Sequence, residues 1–202
     1  AAIFMPSGTM ANQASLHALT RSGDVVLASE GAHILKYESG AAAALAGLHI
    51  REIGRAGLFD AADVHAAVTP SDHHYAPATV DAVENTQGTA GGRIFPFETL
   101  QHVAVAARDR KLKLHLDGAR IFNAAIATGI EASRWGALFD TVARYTRQRC
   151  NGSSDRRELA DGFRGISQQC RITSHARDLR LRDKSTRARD SARGAHGAAV
   201  KS

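Results

Sequence analysis

The stretch Lys113-Leu114-His115-Leu116-Asp117-Gly118-Ala119-Arg120 decides how this chain is read. Leu112, Leu114 and Leu116 alternate with polar residues, the period of a strand with one buried face. The Asp117-Gly118 turn then closes the strand, which leaves a carboxylate at its carboxyl end. In open α/β sheets ligands collect beyond that end, so an acid there with Arg120 three residues on marks a candidate site.

Outward from this strand, the segments around Val25 to Ala28, Leu48 to Ile53 and Thr79 to Val83 also read as strands, and helical patterns fall between them. Asp60 followed three residues later by Asp63 predicts an N-cap and a short helix through Val68. Pro96 suits the first turn of another, with Phe97, Leu100, Val103, Ala104 and Ala107 on its apolar face. A third helix is predicted over Met10 to Leu19. The alternation predicts an α/β fold, a mostly parallel sheet with flanking helices.

Composition narrows the function classes. The 202 residues allow one domain with a real core, and the start at Ala1 without an initiator Met is expected of a fragment. No charged and apolar leader is visible, and the Ala-rich stretch from Gly40 to Leu48 is far short of the roughly 20 apolar residues of a membrane span. Cys150 and Cys170 make neither a CxxC pair nor a disulfide framework, so a cytoplasmic protein is expected. The net charge of +6 averages two unlike parts. Residues 1–142 carry 11 bases against 14 acids, and residues 143–202 carry 15 bases, 13 of them Arg, against 6 acids. The second part lacks sustained periodicity and is expected to be disordered.

Ser7-Gly8-Thr9 precedes the first helical run. A helix N-terminus offers unpaired N–H groups and a positive dipole end, so Ser7, Gly8 and Thr9 suit a phosphate; capping alone is the simpler reading of such a tripeptide. The segment has neither a P-loop GK[ST] nor a GxGxxG pattern. His115 with Asp117, joined by His73 and His74, offers metal-binding atoms, but Arg120 would compete with a cation for Asp117, and no metal is expected. Each residue also has an ordinary role open to it: His33 at a helix start, Asp117 as a helix cap, Arg120 as a surface charge, Glu84-Asn85 as a strand-end turn.

Taken in order, Phe4-Met5-Pro6-Ser7-Gly8-Thr9-Met10-Ala11-Asn12-Gln13, then Ala32-His33-Ile34 with Tyr37-Glu38 and Gly40, Glu84-Asn85-Thr86 with Gly91-Gly92-Arg93, and His115 to Ala124 resemble the low-specificity L-threonine aldolases. These are fold-type I lyases dependent on pyridoxal 5'-phosphate, grouped with the aromatic amino acid beta-eliminating lyases. The resemblance implies that residues 1–142 form part of the cofactor-binding large domain. It implies a cofactor site in which Ser7, Gly8 and Thr9 hold the phosphate, Asp117 pairs with the pyridine nitrogen and His33 stacks on the ring. His33 is also the implied base for the substrate hydroxyl, and Arg120 the clamp for the substrate carboxylate. His74, in Asp72-His73-His74-Tyr75, matches a histidine near the substrate side chain more loosely, since Pro77 interrupts the pattern. The implied reaction cleaves threonine or allo-threonine to glycine and acetaldehyde, in a homo-oligomer.

The family attaches its cofactor to a lysine in a Ser-Lys-Gly segment, expected a few residues after Val142. This chain reads Ala143-Arg144-Tyr145-Thr146-Arg147-Gln148-Arg149, and no Lys stands between Lys113 and Lys184. Arg-, Ala-, Ser- and Gly-rich sequence is what GC-rich DNA yields out of frame, so residues 143–202 read as a frameshifted tail. Two other readings stay open: a non-catalytic remnant whose basic tail binds nucleic acid, and a beta-eliminating lyase.

Overall fold

The computed structural model describes residues 2–69 and 73–144. Among them five strands, Val25–Ser29 (β1), His49–Ile53 (β2), Ala78–Glu84 (β3), Lys113–Asp117 (β4) and Thr141–Ala143 (β5), run parallel in the order β2-β1-β3-β4-β5. The helices are Gly8–Leu19 (α1), His33–Lys36 (α2), Ala41–Ala46 (α3), Ala61–Ala67 (α4), Phe97–Asp109 (α5), Ile121–Thr128 (α6) and Ala132–Gly136 (α7). The expected α/β fold is therefore present. None of these helices is long and apolar enough to cross a membrane.

Two apolar clusters cover the two faces of the sheet. Leu16 of α1 and Ala42 and Ala46 of α3 pack with Val26, Ala28, Val80 and Ala82 on one face. Val64 of α4, Leu100, Val103 and Ala107 of α5 and Trp135 of α7 pack with Val25, Leu27, Val83, Leu114 and Leu116 on the other. The alternation in β4 thus separates an apolar face from a polar face that is also buried, since His115 and Asp117 lie beneath α1. Covering both faces is what parallel sheets require.

Local rules account for the helix starts. Asp60 Oδ1 accepts from Ala62 N at 2.8 Å and Asp63 N at 3.0 Å, while Asp63 Oδ2 accepts from Asp60 N at 3.0 Å, a complete capping box. α1 begins at Gly8, two residues before the predicted Met10, because Ser7 caps it and accepts from Met10 N at 3.1 Å. Pro96 lies one residue outside α5 as its N-cap, in extended conformation, rather than in the first turn. The three-residue β5 is too short to show a period of two and escaped the pattern reading. After β2 the chain reverses through Gly54, whose φ of +69° and approach to Leu58 O leave no room for a Cβ.

One residue contradicts its surroundings. Asp81, in the middle of β3, is flanked in the ladder by Leu27 and Leu114, and neither carboxyl oxygen has a hydrogen-bond partner among the described residues. Burial pushes its carboxyl up to about 8, so the group is carried neutral at pH 7.

Candidate functional site

In this strand order the connections leave β1 in opposite directions, first to β2 and then to β3, so the switch point lies between β1 and β3. Ligands bind in the crevice outside the carboxyl ends at such a point. The chain delivers His33 there at the start of α2 after β1, Glu84 at the end of β3, and Asp117 at the end of β4. An open cleft of about 360 Å³ is lined by His33, Tyr37, Glu84, Gly88, Thr89 and Arg120. A smaller pocket beside it touches His33, Glu84, His115 and Asp117.

Hydrogen bonds hold each of these groups. Asp117 Oδ1 accepts from Ala119 N at 3.2 Å and Oδ2 from Asn12 Nδ2 at 2.8 Å. Because α6 opens only at Ile121, with Arg120 as its N-cap residue, Asp117 is not the cap of that helix. His33 Nδ1 lies 3.3 Å from Glu38 Oε1, so a buried carboxylate holds the Nδ1 proton and leaves Nε2 as the acceptor. Glu38 itself accepts from Asn12 Nδ2 at 2.8 Å and Gln13 Nε2 at 2.5 Å.

Glu84 ties three pieces of the cleft together. Its carboxylate accepts from His33 N and Gly88 N, each at 2.9 Å, and from the Arg120 guanidinium at 3.5 Å. Burial raises the Glu84 carboxyl above its ordinary value, against the two backbone N–H groups, which lower it. Arg120 therefore pairs with Glu84 across the cleft, not with Asp117 as the sequence argument against a metal supposed. A Cβ at Gly88 would crowd the Arg120 guanidinium, which would have to move aside.

The N-terminal turn of α1 supplies the remaining feature. Gly8 and Thr9 lie four and three residues before Asn12, on the same helix face and about one turn, ~5–6 Å, along it. Helix geometry leaves the first N–H groups without intrahelical partners, and Ser7 Oγ is spent on Met10 N. The terminus can thus receive an anion close to the Asn12–Asp117 contact.

His74 is not brought to this cluster. It lies exposed in the turn before β3, its ring 3.8 Å from that of His73, at the amino end of a strand whose carboxyl end carries Glu84. Seven residues of strand separate the two ends by about 20 Å. His33, Glu38 and Asp117 bring three metal-capable atoms within 4.8 Å of one another, but the Asn12 amide already donates to both acids. Fully protonated amide nitrogen is no ligand for a cation, so the donor set fits a neutral or basic organic group better.

A parallel α/β sheet with an acid, an imidazole and a helix N-terminus around its switch-point cleft has the large-domain fold of the fold-type I enzymes, which use pyridoxal 5'-phosphate. The chain belongs to the beta-eliminating lyase family, whose model matches residues 1–145. It is 37% identical over 133 residues to the low specificity L-threonine aldolase of Escherichia coli K12, covering 65% of this chain and 39% of that protein. Over 148 residues it is also 37% identical to an alanine racemase of Cochliobolus carbonum, covering 70% and 36% of the two chains. Among solved structures, a protein of Exiguobacterium sp. 255-15 described as an aromatic amino acid beta-eliminating lyase/threonine aldolase superposes with a TM-score of 0.60 at 27% identity, covering 69% of this chain and 38% of that one. The chain spans about two fifths of the length of the curated threonine aldolases it matches.

Sequence reasoning missed Asn12, Glu38 and Glu84 as parts of the site and weighed His115 only as a metal ligand. The signals were present. Asn12 is one turn from Gly8, His115 is two residues before Asp117 on the same strand face, and Glu38 follows the short helix that His33 opens.

Proposed function

We propose that residues 2–144 form the cofactor-binding part of a pyridoxal-phosphate site serving cleavage of β-hydroxy-α-amino acids, threonine or allo-threonine, to glycine and acetaldehyde. The observation that carries this reading is the convergence of Asp117, His33 and the α1 N-terminus around one amide, Asn12. When bound, the cofactor supplies an electron sink for the carbanion left by Cα–Cβ cleavage. The chain's own groups have distinct tasks. The N–H groups of Gly8 and Thr9, beside Ser7, bind the phosphate. Asp117 would accept a hydrogen bond from the ring nitrogen and keep it protonated. His33, its Nδ1 proton held by Glu38, stacks on the ring and takes the β-hydroxyl proton at Nε2. Arg120 binds the substrate carboxylate in a planar, bidentate fashion. Neither a metal nor His74 has a part in this reading.

Equilibrium dialysis of the chain against pyridoxal 5'-phosphate and against pyridoxal tests the site. Retention of the phosphorylated compound at least tenfold above pyridoxal, abolished in Asp117→Ala, is expected; equal retention of the two would refute the reading. The reaction is tested separately on the relatives' range of chemistry. Glycine and acetaldehyde from L-threonine support the aldolase assignment, ammonia and a keto acid support the beta-eliminating alternative, and racemised alanine supports neither.

The lysine remains the divergence from the family, because the next after Lys113 is Lys184. It lies, with the whole Arg-rich tail from residue 145, outside the described residues, and so do the expected disorder and the nucleic-acid alternative. Because Ala143 pairs with Asp117 in β5 and the family match runs to residue 145, we read the frame as lost from about residue 145 rather than from 143. Translation of the neighbouring frame of the coding DNA is expected to restore a Ser-Lys-Gly-like segment about half a dozen residues after Val142, and a frame without one would sink the idea. A homo-oligomer in the cytoplasm belongs to the same reading; Phe4 and Ile126, 90% and 84% exposed, are apolar surface an assembly would cover.

A further inference from the structure

Neither Asn12 nor His115 lines the open cleft, yet Asn12 bonds to both Asp117 and His115, which line the smaller pocket beside it. The Asn12 amide nitrogen lies 2.8 Å from Glu38 Oε1 and 2.8 Å from Asp117 Oδ2, so its two N–H bonds are divided between two carboxylates. Its oxygen lies 3.2 Å from His115 Nε2, and His115 Nδ1 lies 2.9 Å from Thr141 Oγ1. Carboxylates only accept, which fixes the amide nitrogen toward them and the amide oxygen toward His115. His115 must then carry its proton on Nε2 and accept from the Thr141 hydroxyl at Nδ1. Every donor points one way, from Thr141 through His115 and Asn12 to the two acids.

A neutral imidazole is what this direction needs, and burial pushes His115 down to about 4. Without the shared amide the Glu38 and Asp117 carboxylates would face each other unscreened. Among the described residues Asp117 would then keep only the Ala119 N–H on Oδ1, and its Oδ2 would be left without a donor.

We propose that Asn12 and His115 are positioning residues that lock Asp117 in the orientation meeting a ligand's ring nitrogen and tie it, through Glu38, to His33. The inference rests on the cofactor reading above. It assigns to β5 a part in the site as well, because Thr141 is the first donor of the chain.

The test compares binding of pyridoxal 5'-phosphate with that of 1-deazapyridoxal 5'-phosphate, which has carbon in place of the ring nitrogen and cannot bond to Asp117. For a charge-assisted hydrogen bond the wild-type chain is expected to prefer the natural compound by roughly ten- to hundredfold. Asn12→Leu and His115→Leu should lose that preference while binding the deaza compound as wild type does. His115→Gln, whose Nε2 can still donate to Asn12, should keep it. A merely structural role would weaken both compounds equally and leave the preference intact, which overturns the proposal. A wild-type chain that binds both compounds equally also overturns it, whereas one that binds neither fails the cofactor reading itself and this inference with it. If circular dichroism shows the leucine variants unfolded, Asn12→Asp, which places a third carboxylate between the acids, is expected to abolish the preference and His115→Gln to retain it; the reverse overturns the proposal.

Discussion

Replacing Asp81 by Asn removes a pH-dependent loss of stability, and replacing it by Val makes the chain more stable at neutral pH. The carboxyl lies between Leu27 and Leu114 without a hydrogen-bond partner among the described residues, and its folded value of about 8 stands above the ordinary 3.8. The unfolded chain releases this proton from about pH 4 upward, and the folded chain keeps it until about pH 8. Stability therefore falls as pH rises through that window, about tenfold in the folding constant per pH unit, and levels off above it. Summed over the window the effect is on the order of 5 kcal/mol, comparable with the whole stability of a small domain.

His115 opposes this trend at the acid end. Its folded value is depressed, so its contribution is complete above about 6.5 and is lost as pH falls toward 4. The two slopes offset each other between about pH 4 and 6.5, which leaves pH 6.5 to 8 as the window where Asp81 acts without that opposition. Glu84, also raised by burial, adds in the same direction as Asp81. Urea midpoints at pH 6.5 and 8 for wild type, Asp81→Asn and Asp81→Val isolate the Asp81 share. Identical pH slopes in wild type and Asp81→Asn would show that the carboxyl finds a partner or water. Val is expected to gain further, since it suits a central parallel strand and brings no polar atom into the apolar face.

What could be read from the sequence follows from what each element needs. β4 and α5 were legible because their periodicity is local and their apolar residues recur at fixed spacing. α4 was legible because Asp60 and Asp63 bond to each other's backbone, an event confined to four residues. β5 was not, because three residues bury too little to impose a pattern, and its place is set by pairing with His115, Leu116 and Asp117 of β4. The same division runs through the site. His33, Asp117 and Arg120 stood at element ends and could be found there. The partner of Arg120 could not, since Glu84 is 36 residues away and the two meet only when β3 and β4 pair. A local reading set Arg120 against Asp117 because three residues separated them, and the fold turns the guanidinium across the cleft instead.

That pairing yields the second large effect, an asymmetry between its two partners. Glu84→Ala is expected to destabilise the chain by roughly 1–3 kcal/mol, because the partly buried N–H groups of His33 and Gly88 lose their acceptor. Arg120→Ala is expected to cost less than about 1 kcal/mol, because the guanidinium is nearly half exposed and its contact with Glu84 is 3.5 Å long. Glu84→Gln falls between them: its oxygen can take one N–H group, but its amide nitrogen then confronts the other. Urea midpoints of the three variants and of the Glu84→Ala/Arg120→Ala double variant decide the matter. Equal costs for the two alanine substitutions, with strong coupling between them, would mean that the ion pair is the tie. A large cost at Glu84 that Arg120→Ala does not alter would assign the weight to the two backbone bonds. The chain then holds His33 and the 85–93 loop in place whether or not a ligand draws Arg120 away, which leaves the guanidinium free to exchange Glu84 for a substrate carboxylate at small cost.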